Sequence, residues 1–528
     1  MRFSRVFFAA CLGLLIGGSE GAEAAAHELP MSQALAAGKA ADGKPPAPLL
    51  RPYPKPKGLS YGGLLFTSIA PDLRMDGDHE DRFLWRSGLD FRVKYRFAPG
   101  ARFQLSTAFR YQVRSGDDLE ADAWLDLRDS YLAFRKQRLS LRVGRMVMRW
   151  GRNPLLSPLS VLSPLDSQRL FTGAGLDDPR IPVTAARLKL DLHPLALELV
   201  YLPFFQPARI SFFGRDFSLL RPGMLPALLS QLQSMIPESG DVLLDNTVQR
   251  LGEKVSATLL GLDPYSRDGL QTYLAPSFPE EMPVNGDVGL RLGLSGGSVE
   301  ADFYVLTFLL DLPSIELAPS LRRPLAEGRS MTLIEMNELL DPGQELATAT
   351  YHRALMAGAD VSLSAGGFVF TGELAWTSKS VHYSRGLEPL VLPSLHYALA
   401  LRYSYGTVFG LDVEFAHRAL FADPAPELLF QRQHDLKIAA LLVARLFQDR
   451  LQLSFGGNWL LLQRDLYLHP RVRVDVDDRL AVVFGAQLFL GQALEQGSDF
   501  GALLTYQGGL AGYFQENDSV YGNVELRF

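Results

Sequence analysis

From Gly58 to Phe528 the chain is built from segments of about ten residues in which apolar and polar side chains alternate, the length and period of a tilted strand crossing a bilayer. In LDFRVKYRF (89–97), Leu89, Phe91, Val93, Tyr95 and Phe97 fall on one side and Asp90, Arg92, Lys94 and Arg96 on the other. A period of two sends these sets to opposite faces of a sheet. The same alternation runs through ARLKLDLH (186–193), SVEADFYV (298–305), GLDVEFAH (410–417), RVRVDVD (471–477) and the terminal VYGNVELRF. Connections alternate too. Short links at 98–102, 136–138, 193–194, 296–297, 365–367, 405–407, 448–450 and 477–479 are interleaved with long ones, the longest near 152–181, 211–284, 312–347 and 492–518. Short turns at one end and long loops at the other are the asymmetry of a closed membrane barrel.

Strand starts are expected near Gly58, Arg82, Ala101, Leu125, Leu139, Val183, Leu195, Asp287, Ser298, Thr348, Phe368, Leu395, Val408, Asp435, Leu451, Leu466, Leu480 and Val520. This predicts an all-β fold, a transmembrane antiparallel β-barrel of about 18 strands, with 16 to 20 acceptable. The last strand must pair with the first, because an open edge in lipid leaves backbone groups unsatisfied at several kcal/mol each. In the terminal strand Val524, Leu526 and Phe528 share the apolar face.

Ahead of the barrel, two arginines in MRFSR, the apolar VFFAACLGLLIGG and small residues at Ala22, Ala24 and Ala26 read as a secretory signal over 1–26, cleaved near Ala24 or Ala26. The single cysteine, Cys11, lies inside it, so no disulfide framework or thiolate metal site is expected in the exported chain. Residues 27–57 contain PPAPLLRPYPKPK, which cannot join a ladder and predicts an extended periplasmic leader. The expected location is the outer membrane of a Gram-negative bacterium. A net charge of −6 gives no argument for a nucleic-acid partner.

Two stretches break the alternation. PGMLPALLSQLQSMI (222–236) and TLIEMNELL (332–340) have helical spacing and predict helices in long loops. They are expected either to pack on each other and shield the mouth or to send one helix into the lumen as a constriction.

LRVGRMVMRWGR (141–152), SPLD (163–166), IPV (181–183) and LPFFQP (202–207) together resemble a widespread outer-membrane barrel family of unknown function. Its pattern is Gly-Arg-Gln, then Trp-Gly, then Asn-Pro-x-Asp. Gly144, Arg145, Trp150, Gly151, Pro164 and Asp166 match, while Met146 stands where Gln is usual and Ser163 where Asn is usual. There is a looser similarity to alginate-export barrels. The resemblance implies a barrel and envelope transport. The C-terminal strand, with Val524, Leu526 and Phe528, likewise resembles the signal read by the barrel-assembly machinery.

If Leu141 and Val143 faced lipid, strict parity would also turn Arg145 to lipid, at about 2–4 kcal/mol near mid-membrane. The opposite parity is therefore expected, with Arg145 and Arg149 in the lumen and Trp150 at the outer aromatic belt; a bulge at Gly144 is the competing explanation.

Residues of polar parity divide by sign. Arg92, Lys94, Arg96, Arg110, Arg114, Arg145, Arg187 and Lys189 form a basic arc, and Glu300, Asp302, Asp360, Glu373, Asp412 and Glu414 an acidic one. In a closed barrel these arcs lie across from each other, which predicts a transverse field biasing passage toward anionic solutes. Neutral ladders between neighbouring strands are the alternative.

His352, His382, His396, His417 and His434 lie in or near strands but in no catalytic motif, so no enzyme activity, cofactor or metal is expected. The leading expectation is a conduit, either a porin-like channel or a polysaccharide-export barrel. Its surroundings would be outer-membrane lipid and lipopolysaccharide, and export would add a periplasmic envelope complex near the leader. The alternative is a structural component of a secretion, adhesion or motility assembly.

Overall fold

The computed structural model describes residues 58–73, 83–115, 119–166, 169, 178–209, 250, 285–327, 329–341, 347–423, 426–429, 431–493 and 506–528. The expected signal, the proline-rich leader and the expected helix at 222–236 lie outside the described residues.

Period-two alternation becomes one closed antiparallel sheet. Its strands are β1 (Leu59–Pro71), β2 (Phe83–Ala98), β3 (Ala101–Ser115), β4 (Leu119–Leu127), β5 (Ser130–Lys136), β6 (Leu139–Met146), β7 (Val183–Leu192), β8 (Leu195–Leu202), β9 (Asp287–Gly296) and β10 (Val299–Leu309). After a separate hairpin, β11 (Ser314–Leu317) with β12 (Ala347–Thr350), the sheet continues. It runs through β13 (Arg353–Ala365), β14 (Phe368–Tyr383), β15 (Pro389–Tyr405), β16 (Phe409–Leu420), β17 (His434–Leu446), β18 (Leu451–Leu460), β19 (Asp465–Asp475), β20 (Leu480–Leu490) and β21 (Ser519–Arg527). Barrel strands pair in chain order, with β10 passing over the hairpin to pair with β13. β4 and β5 both pair with β3 over different stretches and share one position, so the described residues form an 18-strand barrel.

Closure is a direct β1–β21 ladder, from Leu64 opposite Arg527 to Ile69 opposite Gly522. Gly63 and Phe528 exchange two backbone hydrogen bonds, at 3.0 and 3.2 Å. A Cβ at position 63 would fall on the Asp90 carbonyl and the Phe528 ring, so the seam requires a glycine there.

The two faces separate as the alternation requires. On β10, Phe303 and Val305 are 51% and 50% exposed, whereas Tyr304 and Leu306 are 2% and 0%. On β9, Val288, Leu290, Leu292 and Leu294 all face outward and exposed. On β2 the outward set includes Tyr95 and Phe97, and Arg92, Lys94 and Arg96 take the inward parity.

The strands expected near Leu125 and Leu395 begin six residues earlier, at Leu119 and Pro389. The strand expected near Thr348 is β12, which among the described residues pairs with β11 alone; the barrel strand begins at Arg353. Thr348 keeps the alternation but lies in a loop hairpin, which a period of two cannot distinguish from a barrel strand. The parity of β6 is also the reverse of the one expected, since Leu139 and Val143 are both exposed. Arg145 shares their parity but follows Gly144, whose φ of +139° breaks the regular strand. Its Nε donates to the Leu127 carbonyl at 3.0 Å.

The hairpin carries two helices, α1 (Pro319–Glu327) and α2 (Leu333–Leu340), the second being the helix expected in this loop. They pack on each other, and Leu321, Leu325, Met336 and Leu339 are buried. The Tyr383 hydroxyl accepts from Ile315 N at 2.8 Å, and Arg322 pairs with Glu388 at 3.3 Å, fixing the hairpin at the loop-rich end. Thr332 and Glu335 close a capping box on α2. Hydrogen bonds from Arg329, with those from Thr332, hold the Glu335 carboxyl down to about 2.

Gly63→Val should strain the seam by about 1–3 kcal/mol. It should lower the temperature at which the unheated compact gel band converts to the unfolded one; an unchanged conversion temperature would contradict the seam. For α2, a depressed carboxyl gives stability that is present above its ordinary value of 4.5 and lost as pH falls toward 2. Amide exchange over 333–340, corrected for intrinsic rates, should accelerate in that window while strand amides stay protected. Equal protection throughout would refute the cap's contribution.

Candidate functional site: a segment across the lumen

After Met146 the chain turns inward. Val147 N donates to Asp129 Oδ1 at 3.0 Å, and Met148 N to Ser163 Oγ at 2.9 Å, so the outgoing and returning limbs are tied near the wall they leave. Trp150, expected at the outer aromatic belt, is instead 2% exposed inside the barrel. Its Nε1 donates to Glu198 Oε1 on β8 at 3.1 Å, and its ring lies 5.2 Å from that of Tyr304 on β10. Strand parity could not place it there, because the parity argument ends with the strand at Met146. Met146, Met148, Leu159 and Leu162 join it in one apolar cluster with residues of β7, β8, β10, β13 and β14.

The next residues meet the acidic arc. Gly151 has φ +83°, and a Cβ there would collide with Ser157 Oγ and the Glu373 carboxylate. The Arg152 guanidinium pairs with Glu300 and Asp302 on β10 and, at 2.6 Å, with Asp360 on β13. Glu373 on β14 accepts the backbone N–H groups of Arg152 and Asn153, the second at 2.6 Å, and the Ser157 hydroxyl at 2.6 Å. Glu414 on β16 accepts the N–H groups of Leu155 and Leu156 at 3.1 and 2.6 Å. Leu155 and Leu156 then pack on Ala439 of β17. β6 and β17 stand nine positions apart in a ring of eighteen, so the segment crosses the lumen to the opposite wall.

The return limb is held by Asp166, another residue of the quoted motif. Asp166 N donates to the Pro179 carbonyl at 2.8 Å, and Ile181 N to the Pro164 carbonyl at 2.7 Å. The Asp166 carboxylate lies 3.3 Å from Arg169 and 3.9 Å from Arg209. The motif is thus the sequence of a folded element: a break in strand regularity at Gly144 just before the exit at Met146, an anchor at Trp150, a turn at Gly151 and a return at Pro164 and Asp166.

The acidic residues are brought together on one inner wall, and five of the six touch the crossing segment; Asp412 pairs with Arg402 at 2.9 Å. The basic residues divide. Arg110 pairs with Asp90 at 2.7 Å, Arg114 with Asp122 at 3.6 Å, Arg187 with Glu198 at 2.6 Å and Lys189 with Asp191 at 2.8 Å. Arg92, Lys94 and Arg96 are exposed and make no ion pair among the described residues. β2 and β14 also stand nine positions apart, which sets these three cations opposite Glu373. Arg149 pairs with Asp178 at 2.8 Å.

Sequence reasoning missed Arg152, Leu155, Leu156, Glu198 and Arg291, the last paired with Asp302 at 2.8 Å. One signal was available: NPLLSPLSVLSPL (153–165) is too apolar for a loop that stays in water.

A family profile matches residues 99–391, more than half of the chain and inclusive of the whole crossing segment. The chain belongs to the family described as a protein of unknown function (DUF1302). The resemblance carried by residues 141–207 agrees with this at the level of the family. No curated protein matches this DUF1302 chain. Among solved structures it is similar to OccAB1 of Acinetobacter baumannii, with TM-score 0.44, 8% identity, and coverage of 89% of this chain and 96% of that one. It is also similar to OccK5 (OpdH) of Pseudomonas aeruginosa, with TM-score 0.40, 9% identity, and coverage of 89% and 97%. A third is the Salmonella typhi OmpF complex with daunomycin, with TM-score 0.36, 8% identity, and coverage of 89% and 97%.

Trp150→Ala should remove the anchor that holds the outgoing limb, at about 3–5 kcal/mol for a buried tryptophan. Protease cleavage within 147–166 of the folded barrel should then become measurable. Continued resistance would show that the ring does not secure the segment.

Proposed function

We propose that this protein is an outer-membrane diffusion channel for small solutes, narrowed by residues 147–166 and biased toward anions. The observation that carries this reading is the pairing of a closed barrel with a lumen whose acidic wall is occupied while Arg92, Lys94 and Arg96 remain exposed. Outward apolar rows such as that of β9 suit lipid, since a belt of this extent is not stable in water. An 18-strand barrel is wide enough for an aqueous path unless it is plugged. The segment narrows that path. A polymer-exporting conduit would need the segment to move aside, so a channel for small solutes is the better reading.

In the same reading the chain is exported by the signal ending near Ala24 or Ala26 and assembled in the outer membrane through its last strand. Val524, Leu526 and Phe528 are all exposed on the outer face of the closing strand, where assembly machinery can contact them.

Planar-bilayer recording tests the function. The folded full chain should conduct and should favour chloride over potassium. Reversing Arg92, Lys94 and Arg96 to Glu, at exposed positions, should remove that preference. A conducting channel without ion preference, or one unaffected by the reversal, would overturn the anionic bias.

A further inference from the structure

Resting on the channel reading, we propose that the crossing segment sets the sign of the pore's ion selectivity by covering the acidic wall, with Arg152 as the specificity-determining residue. The barrel's strands supply Glu300, Asp302, Asp360, Glu373, Asp412 and Glu414 on one inner arc. The strands themselves give only two of these a cationic partner among the described residues, Arg291 for Asp302 and Arg402 for Asp412. The other four are met by the segment. Arg152 takes Glu300 and Asp360 and adds a second contact to Asp302, while Glu373 and Glu414 receive backbone N–H groups of 152–156. Beneath the segment Glu373 and Glu414 are 3% and 0% exposed.

This coverage acts in two ways. It adds a positive charge and a row of amide dipoles to the wall. It also keeps permeating cations out of contact distance of Asp302, Asp360, Glu373 and Glu414, which are buried, whereas Glu300 stays half exposed beside Arg152. Attraction to the buried four falls with separation and is screened by the electrolyte, over about 10 Å at 0.1 M salt. What the path still presents without an ion partner among the described residues is the cationic row of β2, while the exposed Glu300 is paired with Arg152 and the part-exposed Lys189 with Asp191. A barrel of the same sequence without the segment would present the opposite sign, an uncovered acidic arc facing three cations. Selectivity therefore belongs to a loop rather than to the strands, and changes in 147–166 alone can convert an anion-favouring barrel into a cation-favouring one.

Reversal potentials in a KCl gradient near 0.1 M test this. The samples are the folded full chain, a variant with residues 152–158 replaced by a short Gly-Ser linker, and the point variant Arg152→Gln. Each is checked for a heat-modifiable gel band. Wild type is expected to favour chloride. The linker variant should show higher conductance and a reversal potential of opposite sign. Arg152→Gln should shift the potassium-to-chloride ratio several-fold in the same direction. A linker variant that conducts more yet keeps the chloride preference overturns the proposal, as does Arg152→Gln with an unchanged ratio; the point variant decides alone if the linker variant does not fold. A folded but electrically silent wild type would instead defeat the channel reading on which this rests.

Discussion

Every N–H and C=O around the cylinder needs a partner, and the wall supplies partners only if it closes on itself. The β1–β21 ladder and the Gly63–Phe528 exchange provide that closure. Closure in turn requires outward and inward residues to alternate along each strand, so Phe303 faces out and Tyr304 in. It also confines irregular backbone to the two ends and to the lumen, the places where water or other protein groups can satisfy it. The crossing segment is irregular chain of this kind. It leaves the ladder at Met146, and its N–H groups are satisfied by Glu373 and Glu414 from the opposite wall.

That attachment uses two kinds of interaction with different requirements. The apolar part, Trp150, Leu159 and Leu162 against Tyr304, Leu306 and Met356, depends on area removed from water and changes little with salt. The ionic part depends on geometry. Buried carboxylates left without Arg152 would be strongly unfavourable, at roughly 3–5 kcal/mol for a broken buried pair. The wall therefore carries a charge pattern that makes sense only with the segment in place, just as the segment's apolar sequence makes sense only away from water. The electrostatic character of the lumen emerges from the two together.

The strands were legible because each repeats one physical rule locally. LDFRVKYRF and SVEADFYV announce both their length and their faces, and starts such as Ala101, Leu139, Val183, Asp287 and Phe368 coincide with those observed. Thr348 misled because β12 obeys the same rule in a loop hairpin. α2 was legible from its spacing, but its seat on the rim was not, since Tyr383 and Glu388 lie far from it in sequence. The acidic arc was visible as residues and invisible as a binding surface. Its partner, Arg152, stands 148 residues from Glu300, and Leu156 stands 258 from Glu414. No local pattern encodes such contacts. Trp150 was read as a girdle residue because aromatic residues at strand ends usually are; the apolar run that follows it was the counter-signal.

In the folded state residues 147–166 reach the far wall of the barrel. Leu156→Cys with Ala439→Cys, in a chain whose Cys11 is replaced by serine, tests it most directly, because these side chains pack together across the lumen. Mild oxidation of the folded barrel should form an intramolecular disulfide, seen as a reductant-sensitive change in gel mobility, and neither thiol should react with a bulky hydrophilic reagent beforehand. Failure to cross-link, with rapid labelling of both cysteines in a barrel that remains heat-modifiable, would show that the segment does not cross the lumen.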